Sequence, residues 1–329
     1  MERFDYDQEV LVMSQRMFLA VGLALITISC SSSDDFDQAN LVSSAENNSK
    51  IELVESHDRM HSIDVREIPS EVYAGDSFRV IVSSNGGLLG SLKVFGKSTP
   101  LLSVDSDVLS SVVAVPIGQR SGTVALELTV TGINWRISKV MQLEILERPV
   151  RVDRIYRTDE MVRISTDGSS FAEEVDLRQQ QTKTYSTRQY RSNFMRVPVA
   201  GVISTFFGDM RAYENAPPRN PHSGVDFAAP KGTLVSATAG GYVIFSSTMP
   251  VRGKSIVIDH GSGVFSGYHH LSKVYLAVGS WINAGEYLGE VGSTGYSTGP
   301  HLHWEVLVYG TPTDPIQWLE PGLSLALQQ

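Results

Sequence analysis

From Val197 to Leu319, short strand-like runs alternate with glycine turns, and this punctuation constrains the fold more than any other feature of the chain. "LVSATAGGYVIFSS", "SIVIDHGSG", "GVFSGYHHLS", "YLGEVGSTG" and "HLHWEVLVYG" all follow it. Runs of this length bounded by glycine read as strands joined by tight turns. The spacing of the turns predicts an all-β unit of roughly 120 residues.

A second β-patterned stretch precedes it, from Ile51 to Val150. "TVALELTV" places Val124, Leu126, Leu128 and Val130 on one face, and "MQLEI" does the same with Met141, Leu143 and Ile145. "SFRVIVSSNGGLLGSLKVFG" carries Asn85-Gly86 between two apolar runs and predicts a hairpin. The expected architecture is therefore all-β: a small β-sandwich over 51–150, then a Gly-rich antiparallel domain over 197–329. Between them, 151–196 reads as a polar linker with a short helix, its charges forming a solvated surface.

The single cysteine excludes an intramolecular disulfide and any cysteine-rich metal site. Its position is informative. Cys30 follows the uncharged apolar run Met17–Ser29 and precedes the polar "SSSDDFDQ". That run is short for a membrane span, which takes about 20 residues, but suits the core of a signal peptide. The segment resembles a bacterial lipoprotein signal, with Cys30 as the lipidated first residue of the mature protein. The expectation is a signal peptide over 1–29, with the true start at Met13 or Met17, and a flexible tether over 30–50. The chain would then lie outside the cytoplasm, anchored to a membrane, and Ser31 after the cysteine favours the outer membrane facing the periplasm. A net charge of −9 disfavours a nucleic-acid-binding surface.

Six of the eight histidines fall between His222 and His303. His57 and His61 lie ahead of the patterned strands and read as surface residues. "HSGVDF" separates His222 from Asp226 by four, in a segment whose Pro221, Gly224 and Pro230 favour an extended chain. "HLH" puts His301 and His303 on one side of a strand. Imidazole and carboxylate suit zinc, and three protein ligands with an open fourth position are the catalytic arrangement. His222, Asp226 and one histidine of the HLH pair would supply three. Two histidines and a carboxylate also suit an Fe(II) oxygenase, but there the usual spacing is His-x-Asp.

Three blocks, "HSGVDFAAPKGTLVSATAGGYV", "GYHHLS" and "VGSTGYSTGPHLHWEV", closely resemble the signatures of the lysostaphin-type (LytM-like) zinc endopeptidases, in the family's order. The resemblance runs from about Val197 to Leu319. It implies one Zn2+ per chain held by His222, Asp226 and His303, with His270 and His301 as the catalytic pair. "YHHL" aligns on Tyr268 and Leu271, which leaves His269 at the variable position; His260, in "IDHGSG", takes a structural role. The implied activity is hydrolysis of amide bonds in peptidoglycan stem peptides or cross-bridges. Tyr296 is a candidate groove residue, and Trp304 either lines the groove or packs in the core. The competing expectation is a non-catalytic or autoinhibited wall-binding regulator of another hydrolase. The filled ligand and catalytic positions argue against a non-catalytic relative.

Overall fold

The computed structural model describes residues 61–321. The expected signal segment, Cys30, the tether and His57 lie outside them. Among the described residues, no helix is long and apolar enough to cross a membrane.

Eight strands build the first unit: β1 (Ile63–Glu67), β2 (Glu71–Tyr73), β3 (Ser77–Ser84), β4 (Leu89–Val94), β5 (Lys97–Asp105), β6 (Val108–Ala114), β7 (Gly122–Thr131) and β8 (Arg136–Leu146). They hydrogen-bond in the order β1-β3-β6-β5-β4-β7-β8-β2. Strand β5 changes partners along its length, pairing with β4 through Leu101 and with β6 from Leu102. The sheet folds there, so that Val80, Val82 and Leu109 meet Leu92, Leu126, Leu128 and Leu143 in one core. β7 and β8 bury alternate residues, as their period-2 pattern requires.

The expected hairpin at Asn85-Gly86 does not form. Gly86 supplies the turn, with φ 73°. But β3 pairs with β1 and β6, while β4 pairs with β5 and β7. Each strand buries its apolar face in the same core from opposite layers, so the turn is an arch between layers. His61 also departs from expectation. It stacks on Trp135 with ring centroids 4.9 Å apart and is only partly exposed.

The polar segment after the sandwich is ordered and packed. Strand β9 (Val152–Ile155) is followed by helices α1 (Asp159–Thr166) and α2 (Ser170–Gln181). Thr158 caps α1 by accepting from the Met161 amide. The charges on α2 are not simply solvated: Glu174 is buried and Arg178 forms an ion pair with buried Glu305. The segment then runs along the C-terminal unit, where the Tyr190 amide donates to His260 O and the Met195 amide to Trp318 O.

The C-terminal unit holds β10 (Val202–Thr205), β11 (Met210–Tyr213), β12 (Arg219–Pro221), β13 (Val225–Ala228), β14 (Leu234–Ser236), β15 (Gly241–Met249), β16 (Gly253–Asp259), β17 (Val264–Leu271), β18 (Lys273–Val274), β19 (Trp281–Ile282), β20 (Tyr287–Glu290), β21 (His301–Val308) and β22 (Thr311–Thr313). Its main sheet runs β10-β13-β21-β17-β16-β15-β19, with β22 beside β21. Strand β9 adds parallel to β11, with Arg154 opposite Ala212. The two units meet at Arg148, whose guanidinium pairs with Asp76 of the sandwich and, at 2.9 Å, with Asp314.

Candidate metal and catalytic centre

Strand β21 carries the centre, and its neighbours complete it. Strand β13 places Asp226 opposite His303, and β17 places His269 opposite His303 from the other side. Alternation along β21 puts His301, His303 and Glu305 on one face. Leu302, Trp304 and Val306 take the other face and are fully buried in the core. Trp304 is therefore a core residue against Phe227 rather than part of a groove. His222 follows β12 and is fixed by its backbone: its amide donates to Asp209 O, and its carbonyl accepts from the Gly208 amide, each at 2.9 Å.

These elements bring three donor atoms together. His222 Nε2 lies 3.1 Å from Asp226 Oδ1, and His303 Nδ1 lies 2.7 Å from the same oxygen. The two imidazole nitrogens are 2.9 Å apart. All three side chains are buried. A carbonyl can only accept, so the 3.0 Å contact from His222 Nδ1 to Phe206 O places the proton on Nδ1. The neutral ring therefore turns a bare Nε2 toward Asp226. Burial keeps it neutral, with a pKa lowered to about 4. Burial alone would raise the pKa of Asp226, but the adjoining imidazoles carry it well below the usual carboxylate range. Arg211 Nη2, 3.2 Å from Asp226 Oδ2, holds the second oxygen.

Gly224 is required by the approach of β13. A Cβ there would lie 2.8 Å from His303 Cε1 and 2.5 Å from Trp304 O. Gly224→Ala should cost about 1–3 kcal/mol, as overpacking does. It should also weaken metal binding, because the displaced ring is His303. Equilibrium unfolding and zinc titration of the variant check both.

His270 breaks the alternation of β17. A regular strand would send its ring into the core beside Tyr268. Its φ is +60°, a left-handed conformation that a residue with a Cβ adopts at a cost. The pairing of β17 with β16 also shifts register here, between Lys254 and Ile256. The kink brings the His270 ring to 4.7 Å from that of His301, centroid to centroid. Both rings donate Nδ1–H to backbone carbonyls, His270 to Thr294 O at 2.7 Å and His301 to Gly299 O at 2.8 Å. In its neutral form each ring thus keeps a lone pair on Nε2. Burial, followed by the neighbouring His301 and His303, lowers the His270 pKa well below the ordinary imidazole value.

The pair opens onto a cleft of about 540 Å³. Asp226, Arg211, Tyr213 and Tyr296 are among its lining residues. Tyr296 meets Tyr213 and Phe171 edge-on, and burial raises its phenol pKa to about 12. Arg154, Tyr156 and Met161, from β9, its following loop and α1, also line the cleft. His269 and His260 lie elsewhere. His269 Nε2 donates to Glu305 Oε1 at 3.0 Å, and His260 bridges Gly240 O and Ser266 Oγ, both rings fully buried.

Sequence reasoning missed Glu305, Arg211 and the wall built from β9 and α1. Glu305 was detectable, since it follows His303 by two and shares its face. Arg211 has no local signal. It reaches Asp226 only because β11 and β13 are brought together by the fold.

Residues 220–315 match Peptidase family M23. The DD-carboxypeptidase/endopeptidase Mpg of Neisseria meningitidis is 45% identical over 104 residues, which cover 32% of this chain and 24% of that protein. The peptidoglycan DD-endopeptidase ShyA of Vibrio cholerae is 37% identical over 126 residues, 38% of this chain and 29% of that protein. The matches thus span under a third of these relatives' length. A crystal structure of a peptidase M23 from Pseudomonas aeruginosa superposes with a TM-score of 0.54 at 26% identity, covering 71% of this chain and 89% of that one. Residues 220–315 are a Peptidase family M23 domain of the LytM/lysostaphin type.

Proposed function

We propose that this chain is a zinc-dependent endopeptidase that hydrolyses amide bonds in the peptides of peptidoglycan. One observation carries the reading: the buried His222–Asp226–His303 cluster lies beside two histidines whose free Nε2 atoms serve an open cleft. The relatives named as DD-endopeptidases supply the substrate class.

The donor set fits zinc. It offers two neutral imidazoles and one carboxylate, the chemistry of a three-ligand catalytic site. His222 Nε2 and Asp226 Oδ1 are both acceptors, so their 3.1 Å approach lacks a bridging proton and calls for a cation. His303 Nε2, on the far edge of its ring, is buried without a hydrogen-bond partner among the described residues. When bound, zinc supplies Lewis acidity, stabilising charge on a carbonyl oxygen and lowering the pKa of water.

The chain's own residues supply the rest. Thr294 O and Gly299 O fix the tautomers of His270 and His301, so each can take or return a proton at Nε2. Arg211 holds Asp226 in the orientation its ligand role needs. The Tyr296 hydroxyl stays protonated and can donate to a peptide carbonyl in the cleft. Lipidation at Cys30 would keep the enzyme at the membrane, within reach of the wall.

The test is muropeptide release from purified peptidoglycan. The zinc-loaded chain should release new products, a chelator should abolish them and added zinc restore them. No release by a folded chain with one zinc bound would overturn hydrolysis and favour a silent wall-binding regulator.

A further inference from the structure

Behind His303, a buried network of charges joins the metal cluster to helix α2. Arg178 Nη2 donates to both oxygens of Glu305 at 2.8 Å. Arg252 Nη2 adds a bond to Glu305 Oε2 at 3.1 Å. Arg252 is held in turn by Glu174 of α2: Nη1 donates to Oε1 at 2.7 Å, and the Val251 and Arg252 amides donate to Oε2 at 2.6 and 2.8 Å. Glu174 and Glu305 are almost wholly buried. Two carboxylates and two guanidiniums therefore occupy one desolvated cluster, which persists only if each charge is paired.

The cluster ends on the metal histidine. Glu305 Oε2 lies 3.8 Å from His303 Nε2, which has no hydrogen-bond partner among the described residues. When a histidine binds metal through one ring nitrogen, its other N–H needs an acceptor, and a carboxylate in that place fixes the ring and raises its basicity. Glu305 Oε1 is already engaged by His269 Nε2, so the carboxylate cannot swing away.

We propose that Glu305 is the orienting carboxylate of His303, and that Arg178 of α2 is a positioning residue that holds it. The helix that precedes the catalytic sheet thereby becomes part of the metal centre. The inference rests on the reading of His222, Asp226 and His303 as a zinc site. It goes further by assigning a role in metal affinity to a side chain that touches neither metal nor substrate.

Zinc affinity provides the test, measured on the purified chain by competition with a chromogenic chelator, alongside the thermal midpoint of the zinc-free protein. Glu305→Gln and Arg178→Met should each weaken zinc binding by roughly 10–100-fold, the usual effect of losing such outer partners. Arg178→Lys should recover most of the affinity, because a single Nη2 nitrogen makes the contact and an ammonium can replace it. A purely structural role would lower the midpoint of the Met and Lys variants without this recovery. Should Arg178→Met fail to fold, near-isosteric Glu305→Gln decides the matter. Zinc binding unchanged in Glu305→Gln overturns the inference and leaves the zinc reading intact. An unmodified chain that binds no zinc overturns both.

Discussion

Replacing His301 or His270 with alanine is expected to lower kcat by about 10²–10⁴-fold, the range for losing a positioned general acid or base. Zinc content should stay at one per chain, because neither ring contributes a donor atom to the cluster of His222, Asp226 and His303. The two variants should be distinguishable in structure. His301 lies at a strand start, anchored by Gly299 O and beside Ser297 Oγ at 3.3 Å, so its loss leaves the sheet intact. His270 sits in a strained left-handed conformation at the end of β17. Its alanine variant loses the Thr294 anchor that balances that strain. The expected difference is lost activity with unchanged stability for His301→Ala, and lost activity with altered stability for His270→Ala.

If the pair acts as a unit, one as acid and the other as base, the double variant should be hardly slower than the worse single variant. Rates and zinc content measured together decide this. A folded His301→Ala chain that keeps its zinc and its rate would remove His301 from the chemistry. It would leave His270 as the sole proton carrier of the cleft.

The legible part of the centre was the part written in local spacing. His301 and His303 share a face because strands alternate, and "HSGVDF" could not be a long helix with proline and glycine around it. The unread part depends on long-range contact. His270 escapes the core only because its backbone flips to positive φ, which "YHHL" does not announce. The Asn85-Gly86 turn was visible as a turn, but not as an arch, because strand pairing is set by which layer buries each face. The largest misreading concerned 151–196. Its polar composition reads as solvent-facing, yet Glu174 and Arg178 find partners more than 70 positions away in Arg252 and Glu305. A boundary drawn at Val197 would discard both side chains, together with the β9 and α1 wall of the cleft.

Acid should destabilise this fold as the pH falls from 7.5 to 5. Burial lowers the pKa of both His260 and His269 to about 4 in the folded chain, against about 6.5 when unfolded. As pH falls below about 6.5, the unfolded chain takes up protons that the folded chain refuses, so stability falls. Between pH 7.5 and 5 each histidine should contribute a loss of about 2 kcal/mol by this linkage. Asp259 works in the opposite sense. Burial raises its folded pKa to about 6, despite the Ser186 and Gly261 amides that favour its ionised form. The folded chain therefore takes a proton there first, offsetting on the order of 1 kcal/mol over the same interval. The histidines win: these three groups together give a net loss of roughly 2–3 kcal/mol, and buried His222 and His270, also held neutral in the folded zinc-free chain, deepen it. Asp226 and Glu305 do not enter, because both stay ionised well below this window. Urea unfolding of the zinc-free chain at pH 7.5 and pH 5 measures the loss. His260→Gln tests its source, since His260 lies apart from the metal cluster and its ring bonds to Gly240 O and Ser266 Oγ. The variant should be less stable at pH 7.5 but should lose about 2 kcal/mol less on acidification. An unchanged pH dependence would mean that His260 is protonated in the folded chain, and that its burial does not hold it neutral.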